Sequence, residues 1–282
     1  MNKPVIITAD STCDLSDELL KRYAIYTIPL IITLGEDTFL DGHGFTPLDM
    51  YARYRQDKTL PQTAAPSVKD FLDFFSSFTE QGYAIVHLDI SAELSNSYNA
   101  ACIAAADLRD VHIVDTRMLS TGIGLLALEG ADCRDRGMSA AEIAQHLRRL
   151  TEKVQTSFVL DTLEYMWKGG RCSGVTALGA NLLHLKPGLE MRDGKLNVYK
   201  KYRGNIKQVY KQYITDRLNG RKVRPEHVFL TESGEVDEET VSELKELIRN
   251  TIPVKEIHHT IAGCTISTHC GPKTLGILFL EE

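Results

Sequence analysis

Residues 85–101 constrain the fold of this chain more tightly than any other stretch. Residues 85–90 form a continuous, mostly apolar run with branched side chains, the pattern of a strand buried on both faces. An Ala-rich segment follows, from Ser95 through Ala106, and its composition favours a helix. Between the two lies a short polar loop holding Ser91, Ser95, Asn96 and Ser97. A strand that passes through a polar loop into a helix N-terminus makes a natural anion site, because free backbone N–H groups and the positive end of the helix dipole face the same point. The same residues also suit an ordinary capped helix, since Ser and Asn are favoured caps. Neither a Gly-x-Gly-x-x-Gly pattern nor a P-loop accompanies the loop, so the anion need not be a nucleotide.

The surrounding sequence repeats this strand-to-helix rhythm. Residues 5–9 read as a short buried strand ending in Asp10-Ser11-Thr12, and residues 25–34 as a second apolar, branched run. Thr46-Pro47 places a capping residue before a proline at the first helical position and opens a helix through Arg55. Ser67 with Asp70 is an acidic form of the capping box, followed by Phe71, Phe74, Phe75 and Phe78 at helical spacing. Residues 111–115 give another strand, a small-residue helix starts near Ser120, and Ser139 with Glu142 caps a helix to about Val154. The alternation predicts an α/β fold with a mainly parallel sheet covered by helices. Ligands of such sheets sit outside strand carboxyl ends, where Asp10, Ser11, Ser91 and Asp115 fall. Asp10 and Asp115 read as caps of the turns that follow them rather than as metal ligands.

Beyond Ser157 the rhythm changes. Residues 158–161 are strand-like, residues 163–168 suit a short helix closed by Gly169-Gly170, and Arg171 starts a helix to about His184. Asp193-Gly194 lies between two apolar runs as a hairpin turn. Helices are expected over 205–218 and 236–250, and strands over 228–231, around 265–269 and over 276–279. These features predict two domains, an N-terminal α/β domain over 1–155 and a C-terminal α+β domain over 156–282.

Bulk properties narrow the function classes. The 282 residues suffice for one large or two ordinary domains. A formal net charge of −6 argues against nucleic acid or an anionic membrane as the main partner. No signal-peptide pattern is expected at the N-terminus and no apolar run is long enough to span a bilayer, which points to a cytoplasmic protein. The six cysteines are scattered without a Cys-x-x-Cys pair, so reduced thiols are expected in place of disulfides or a zinc site.

Six motifs then occur in order: Asp10-Ser11-Thr12, Ser91-x-x-Leu94-Ser95, Asp115-Thr116, Leu163-x-x-x-x-Lys168-Gly-Gly-Arg171, Lys186-Pro187 and Thr268-His-Cys-Gly-Pro272. Their order and spacing resemble the DegV family across residues 5–279. The resemblance implies a two-domain α/β protein that holds one long-chain fatty acid in an interdomain tunnel. It also implies a separate ATP-binding fatty acid kinase subunit that phosphorylates the carboxylate, the acyl phosphate feeding phospholipid synthesis. No cofactor, metal or nucleic acid is implied, and transient membrane contact is compatible with such a role. The chain departs from the family pattern at Ala64 and Ala65, at Asn96 where glycine is usual, and at Lys273-Thr274.

A buried carboxylate requires converging donors. Thr63, Ser91, Ser95, Asn96 and His269 are the candidates for it, and Arg171 and Arg203 are candidates for a phosphate or partner contact. Each has a plainer alternative: a cap for Ser95, a turn hydroxyl for Thr63, a salt bridge for Arg171, a strand-end histidine for His269, a solvated basic face for Arg203. The expected lining of the acyl tail is Phe71, Phe74, Ile123, Leu125 and Leu182. The competing enzyme reading is a hydrolase or acyltransferase with Ser91 or Ser95 as nucleophile. Against it, the chain has no Gly-x-Ser-x-Gly elbow.

Overall fold

The computed structural model describes residues 3–171 and 185–282. The helix expected from Arg171 to about His184, with Cys172 and Leu182, lies outside the described residues apart from Arg171 itself.

The N-terminal part builds a four-stranded parallel sheet in the order β2-β1-β6-β7. Its strands are β1 (Val5–Asp10), β2 (Ile25–Ile28), β6 (Ala84–Asp89) and β7 (Val111–Asp115). Every residue of β6 is buried, as its mostly apolar run implies. Helices α1 (Asp17–Arg22), α3 (Val68–Thr79), α4 (Ser97–Ala105), α5 (Thr121–Asp135) and α6 (Ala140–Leu150) accompany these strands. Ser67 with Asp70 and Ser139 with Glu142 make the reciprocal capping bonds that their spacing predicts. So does Thr46 with Asp49 at the start of α2 (Pro47–Asp57).

The apolar run over 25–34 does not form one strand. Pro29 lacks the N–H that a ladder needs, and the run divides into β2 and β3 (Ile31–Leu34) in different sheets. With β4 (Asp37–Leu40) and β5 (Gln62–Ala64), β3 makes a small antiparallel sheet in the order β4-β3-β5.

A six-stranded sheet follows in the order β10-β9-β8-β13-β11-β12. It contains β8 (Val154–Val159), β9 (Leu185–Arg192), β10 (Lys195–Arg203), β11 (Val223–Glu232), β12 (Glu256–Ile261) and β13 (Leu275–Glu281). Only the β11–β12 pair is parallel. Strands β9 and β10 form the expected hairpin, with Asp193 and Gly194 both at positive φ. Helices α7 (Glu164–Gly169), α8 (Ile206–Leu218), α9 (Glu238–Thr251) and α10 (Cys264–Cys270) complete the described chain.

Residues 265–269 were expected to be strand-like and are helical instead. The β-branched residues Thr265, Ile266 and Thr268 favour a strand locally, but two distant carboxylates hold the helix start. Asp41 accepts from the Thr265 N–H (3.3 Å) and Asp14 from the Gly263 N–H (2.8 Å). Tertiary hydrogen bonding overrides local preference here.

Helix α5 is the shared wall of the molecule. It packs against β1 and β6 on one side and β8 and β13 on the other, and eleven of its residues are buried. A Cβ at Gly122 would lie 2.2 Å from the Thr156 Oγ1 of β8, so glycine is what lets the six-stranded sheet approach. A single apolar cluster joins Ile7, Leu88 and Leu126 to Phe158, Phe229 and Leu278.

Candidate functional site

Between β1 and β6 the strand order turns outward in both directions, and the carboxyl ends of these strands leave the crevice expected of an open α/β sheet. A cavity of about 460 Å³ opens beside it, within the range of small-molecule sites. Leu30, Ile90, Leu119, Met166, Leu196 and Ile266 give it an apolar wall. Its polar wall includes Thr63, Ser95, Asn96, Asn99, Arg171 and His269.

Thr63 sits in the middle of β5, paired with Ile32 of β3. His269 lies in the last turn of α10. The two meet across 206 residues, with Thr63 Oγ1 3.0 Å from His269 Nε2. The other ring nitrogen, Nδ1, is buried and has no hydrogen-bond partner among the described residues. Burial, and then the Arg171 guanidinium, push the His269 imidazole down to about 4, so the ring is neutral near pH 7. An orphaned lone pair is tolerated better than an orphaned N–H. The favoured tautomer therefore carries its proton on Nε2 and donates it to Thr63. The Thr63 hydroxyl proton is then left to point into the cavity.

Gly169 explains how the histidine comes so close. A Cβ there would lie 2.3 Å from His269 Nδ1. The glycine after Lys168 is thus a matter of space against the imidazole. Arg171 is exposed, lines the cavity and donates to the Gly169 carbonyl (2.9 Å). It is not held in a salt bridge with any described residue.

The loop after β6 forms a further side. Ser95 Oγ accepts from the Ser97 N–H (3.2 Å), which is its capping role. A hydroxyl that accepts one bond still has a proton to donate, and Ser95 lines the cavity. Asn96 lies at φ −80° and ψ 3°, a backbone open to any residue, so the position does not need glycine for its conformation. Its side chain accepts from Asn99 (3.1 Å) and does not cap α4. Ala64 and Ala65 add methyl groups to the wall.

Several of the expected site residues lie away from the wall of this cavity. Ser91 is fully buried and outside the cavity wall: its hydroxyl donates to the Gly194 carbonyl (2.7 Å), fastening the β9–β10 turn to the loop after β6. Phe71 and Phe74 pack with Phe75 and His87 under α3, and Ile123 and Leu125 belong to the central core. None of these four lines the cavity. Helical periodicity marks a buried face without saying which buried faces border a cavity. Arg203 ends β10, exposed and away from the cavity wall. Asp10 accepts from Thr12 and from the Ile90 N–H (2.9 Å). Asp115 accepts from the Arg117 N–H (2.9 Å) and the Ala92 N–H (3.3 Å), so both strand-end carboxylates act as caps. The sequence reading missed Asp14 and Asp41, which hold α10 in place, and most of the apolar wall. The position of Ile90 at a strand end was the one signal available for that wall.

Comparison with known proteins agrees with this architecture. A sequence model of the DegV family, described as uncharacterised proteins, matches residues 4–282. A DegV domain-containing protein of Clostridium perfringens is 31% identical over the whole of both chains. A protein of Thermotoga maritima named a fatty acid-binding protein is 31% identical over 96% of each chain. A solved DegV family structure from Thermus thermophilus, reported for its fatty acid binding, superposes with a TM-score of 0.89 at 28% identity and covers all of both chains. With its six ordered motifs, its α/β fold and these matches along nearly its entire length, this chain belongs to the DegV family.

Proposed function

We propose that the cavity binds one long-chain fatty acid, carboxylate toward Thr63, Ser95 and His269 and acyl chain along the apolar wall. The observation that carries this reading is the Thr63–His269 pair in the polar wall of a cavity whose other wall is apolar. With the imidazole proton given to Thr63, the outward Thr63 hydroxyl proton is the donor offered to an anion, and Arg171 lies nearby to offset the charge. The fatty acid binding reported for the Thermus and Thermotoga relatives supports the same ligand class. About fourteen methylenes at roughly 0.8 kcal/mol each supply on the order of 11 kcal/mol of gross transfer energy. Association costs of about 4–15 kcal/mol offset much of this, so the fit of the wall decides the affinity.

In this reading the chain is a carrier. It presents the carboxylate to a separate ATP-dependent fatty acid kinase, which forms the acyl phosphate used in phospholipid synthesis. Thr63 and His269 resemble a nucleophile and its base, but a base of that kind needs a third group to orient it. No described residue bonds His269 Nδ1, which favours binding over hydrolysis.

Organic extraction of purified, non-delipidated protein followed by mass spectrometry tests the ligand. A fatty acid near one equivalent per chain is expected, and consistently empty protein would overturn the assignment. Thr63→Val and Ser95→Ala should each weaken fatty acid binding by roughly tenfold or more, the worth of one hydrogen bond to a charged group. Unchanged affinity in both would place the carboxylate elsewhere. Acyl phosphate production with ATP and the kinase subunit tests the carrier role separately.

A further inference from the structure

Far from the cavity, at the outer edge of the six-stranded sheet, two imidazoles and a carboxylate converge. Strands β11 and β12 run parallel with His227 beside Glu256 and Phe229 beside His258. His227 Nδ1 lies 3.0 Å from His258 Nε2, and Glu256 Oε2 lies 3.6 Å from the same His258 nitrogen. The three ligand atoms all fall within 4.8 Å of one another.

The geometry points to a binding site for one divalent transition-metal cation of the zinc class, held by His227, His258 and Glu256. Zinc sits about 2.0–2.2 Å from imidazole nitrogen and carboxylate oxygen. At those lengths, ligand atoms 3.0 and 3.6 Å apart subtend angles of about 95° and 120° at the metal. The two angles bracket the tetrahedral value.

The surroundings are those of a prepared site. His258 stacks on Phe229 with ring centroids 4.8 Å apart, and Tyr23 meets His227 edge-on at 6.1 Å. Tyr23 Oη lies 3.5 Å from His227 Nε2, which favours a proton on Nε2 and leaves the Nδ1 lone pair facing His258. Supporting partners of this kind orient metal-binding histidines. Arg22 grips both oxygens of Glu256 at 3.0 Å and fixes the carboxylate plane.

A second group, Glu129, Cys133 and His146, has similar spacing but different surroundings. Glu129 already pairs with Arg136, Arg224 and His146, and Arg136 also contacts the Cys133 sulfur. A cation there would meet two guanidinium groups and a sulfur already bonded to one of them, against the single Arg22 guanidinium at Glu256, so this cluster serves as the internal control.

The consequence is structural. Tyr23 and Arg22 close α1, which accompanies the parallel sheet, whereas His227, Glu256 and His258 lie in the other sheet. A metal ion would reinforce the seam between the two layers.

The test titrates zinc chloride into chelator-stripped full-length protein by calorimetry, with a thermal melt in parallel. One equivalent of zinc and a raised melting temperature are expected. His227→Gln and His258→Gln should each lose at least tenfold in affinity, and His146→Gln should match the parent. Absence of zinc binding, or binding that survives both substitutions or is lost with His146→Gln, would overturn the proposal. If the variants fail to fold, imidazole NMR signals of the parent protein decide. Zinc-induced shifts at His227 and His258 support the site, and shifts confined to His146 or to other histidines refute it.

Discussion

Gly169 and Gly170 are adjacent and are required for different reasons. Gly169 makes room for His269, while Gly170 caps α7 at φ +65° with nothing within 4 Å of an added Cβ. Gly169→Ala should therefore displace the imidazole and reduce fatty acid affinity at least tenfold, with a stability loss of about 1–3 kcal/mol from overpacking. Gly170→Ala should cost about 1–2 kcal/mol through left-handed backbone strain and leave affinity nearly intact. Paired ligand titrations and urea melts check both, and equal affinities in the two variants would refute the division of roles. Sequence alone marked the two glycines as a helix stop, because the partner that makes Gly169 necessary lies a hundred residues away. Ser95 was legible as a polar residue in a loop matching a known pattern, whereas Thr63, expected in a loop, lies in β5 because it pairs with Ile32 of β3. Ser91 looked equivalent to them, and only the Gly194 carbonyl above it explains why its hydroxyl is taken.

At the scale of elements, legibility followed the range of the forces involved. Helices opened by Thr46, Ser67 and Ser139 were readable because their caps close within four residues. The parallel sheet was readable from the buried run of β6. Helix α10 was not, because the carboxylates that hold its first turn come from Asp14 and Asp41. Asp41 also accepts from Ser11 (3.0 Å), so it binds three segments together. Asp41→Ala should leave the Thr265 N–H without its partner, cost about 1–3 kcal/mol, and weaken fatty acid binding through misplacement of His269. Hydrogen exchange of the Thr265 amide reports the first effect and ligand titration the second. Full affinity in Asp41→Ala would mean that the rest of the packing around α10 is enough to position the histidine.

At the scale of the molecule, the site leaves a mark on stability. With its pKa lowered to about 4 from an unfolded value of 6.5, His269 stays neutral while an unfolded chain would already take a proton. Stability from this group is present above about pH 6.5 and is lost as pH falls toward about 4. Asp10 acts in the opposite sense, because burial and then the Asp89 carboxylate raise its pKa and stability falls as pH rises. His269→Gln should therefore lose less stability than the parent on acidification across that window. Urea melts at its two ends measure the difference, and parallel curves for the two proteins would show that the imidazole is not held neutral.

The 206-residue separation of Thr63 and His269 has a consequence for synthesis. A chain emerging from the ribosome completes the parallel sheet and β5 long before it reaches α10. A growing chain therefore completes this part of the cavity wall only once α10 has been made. A ligand held there would add its binding energy to the closed arrangement by mass action.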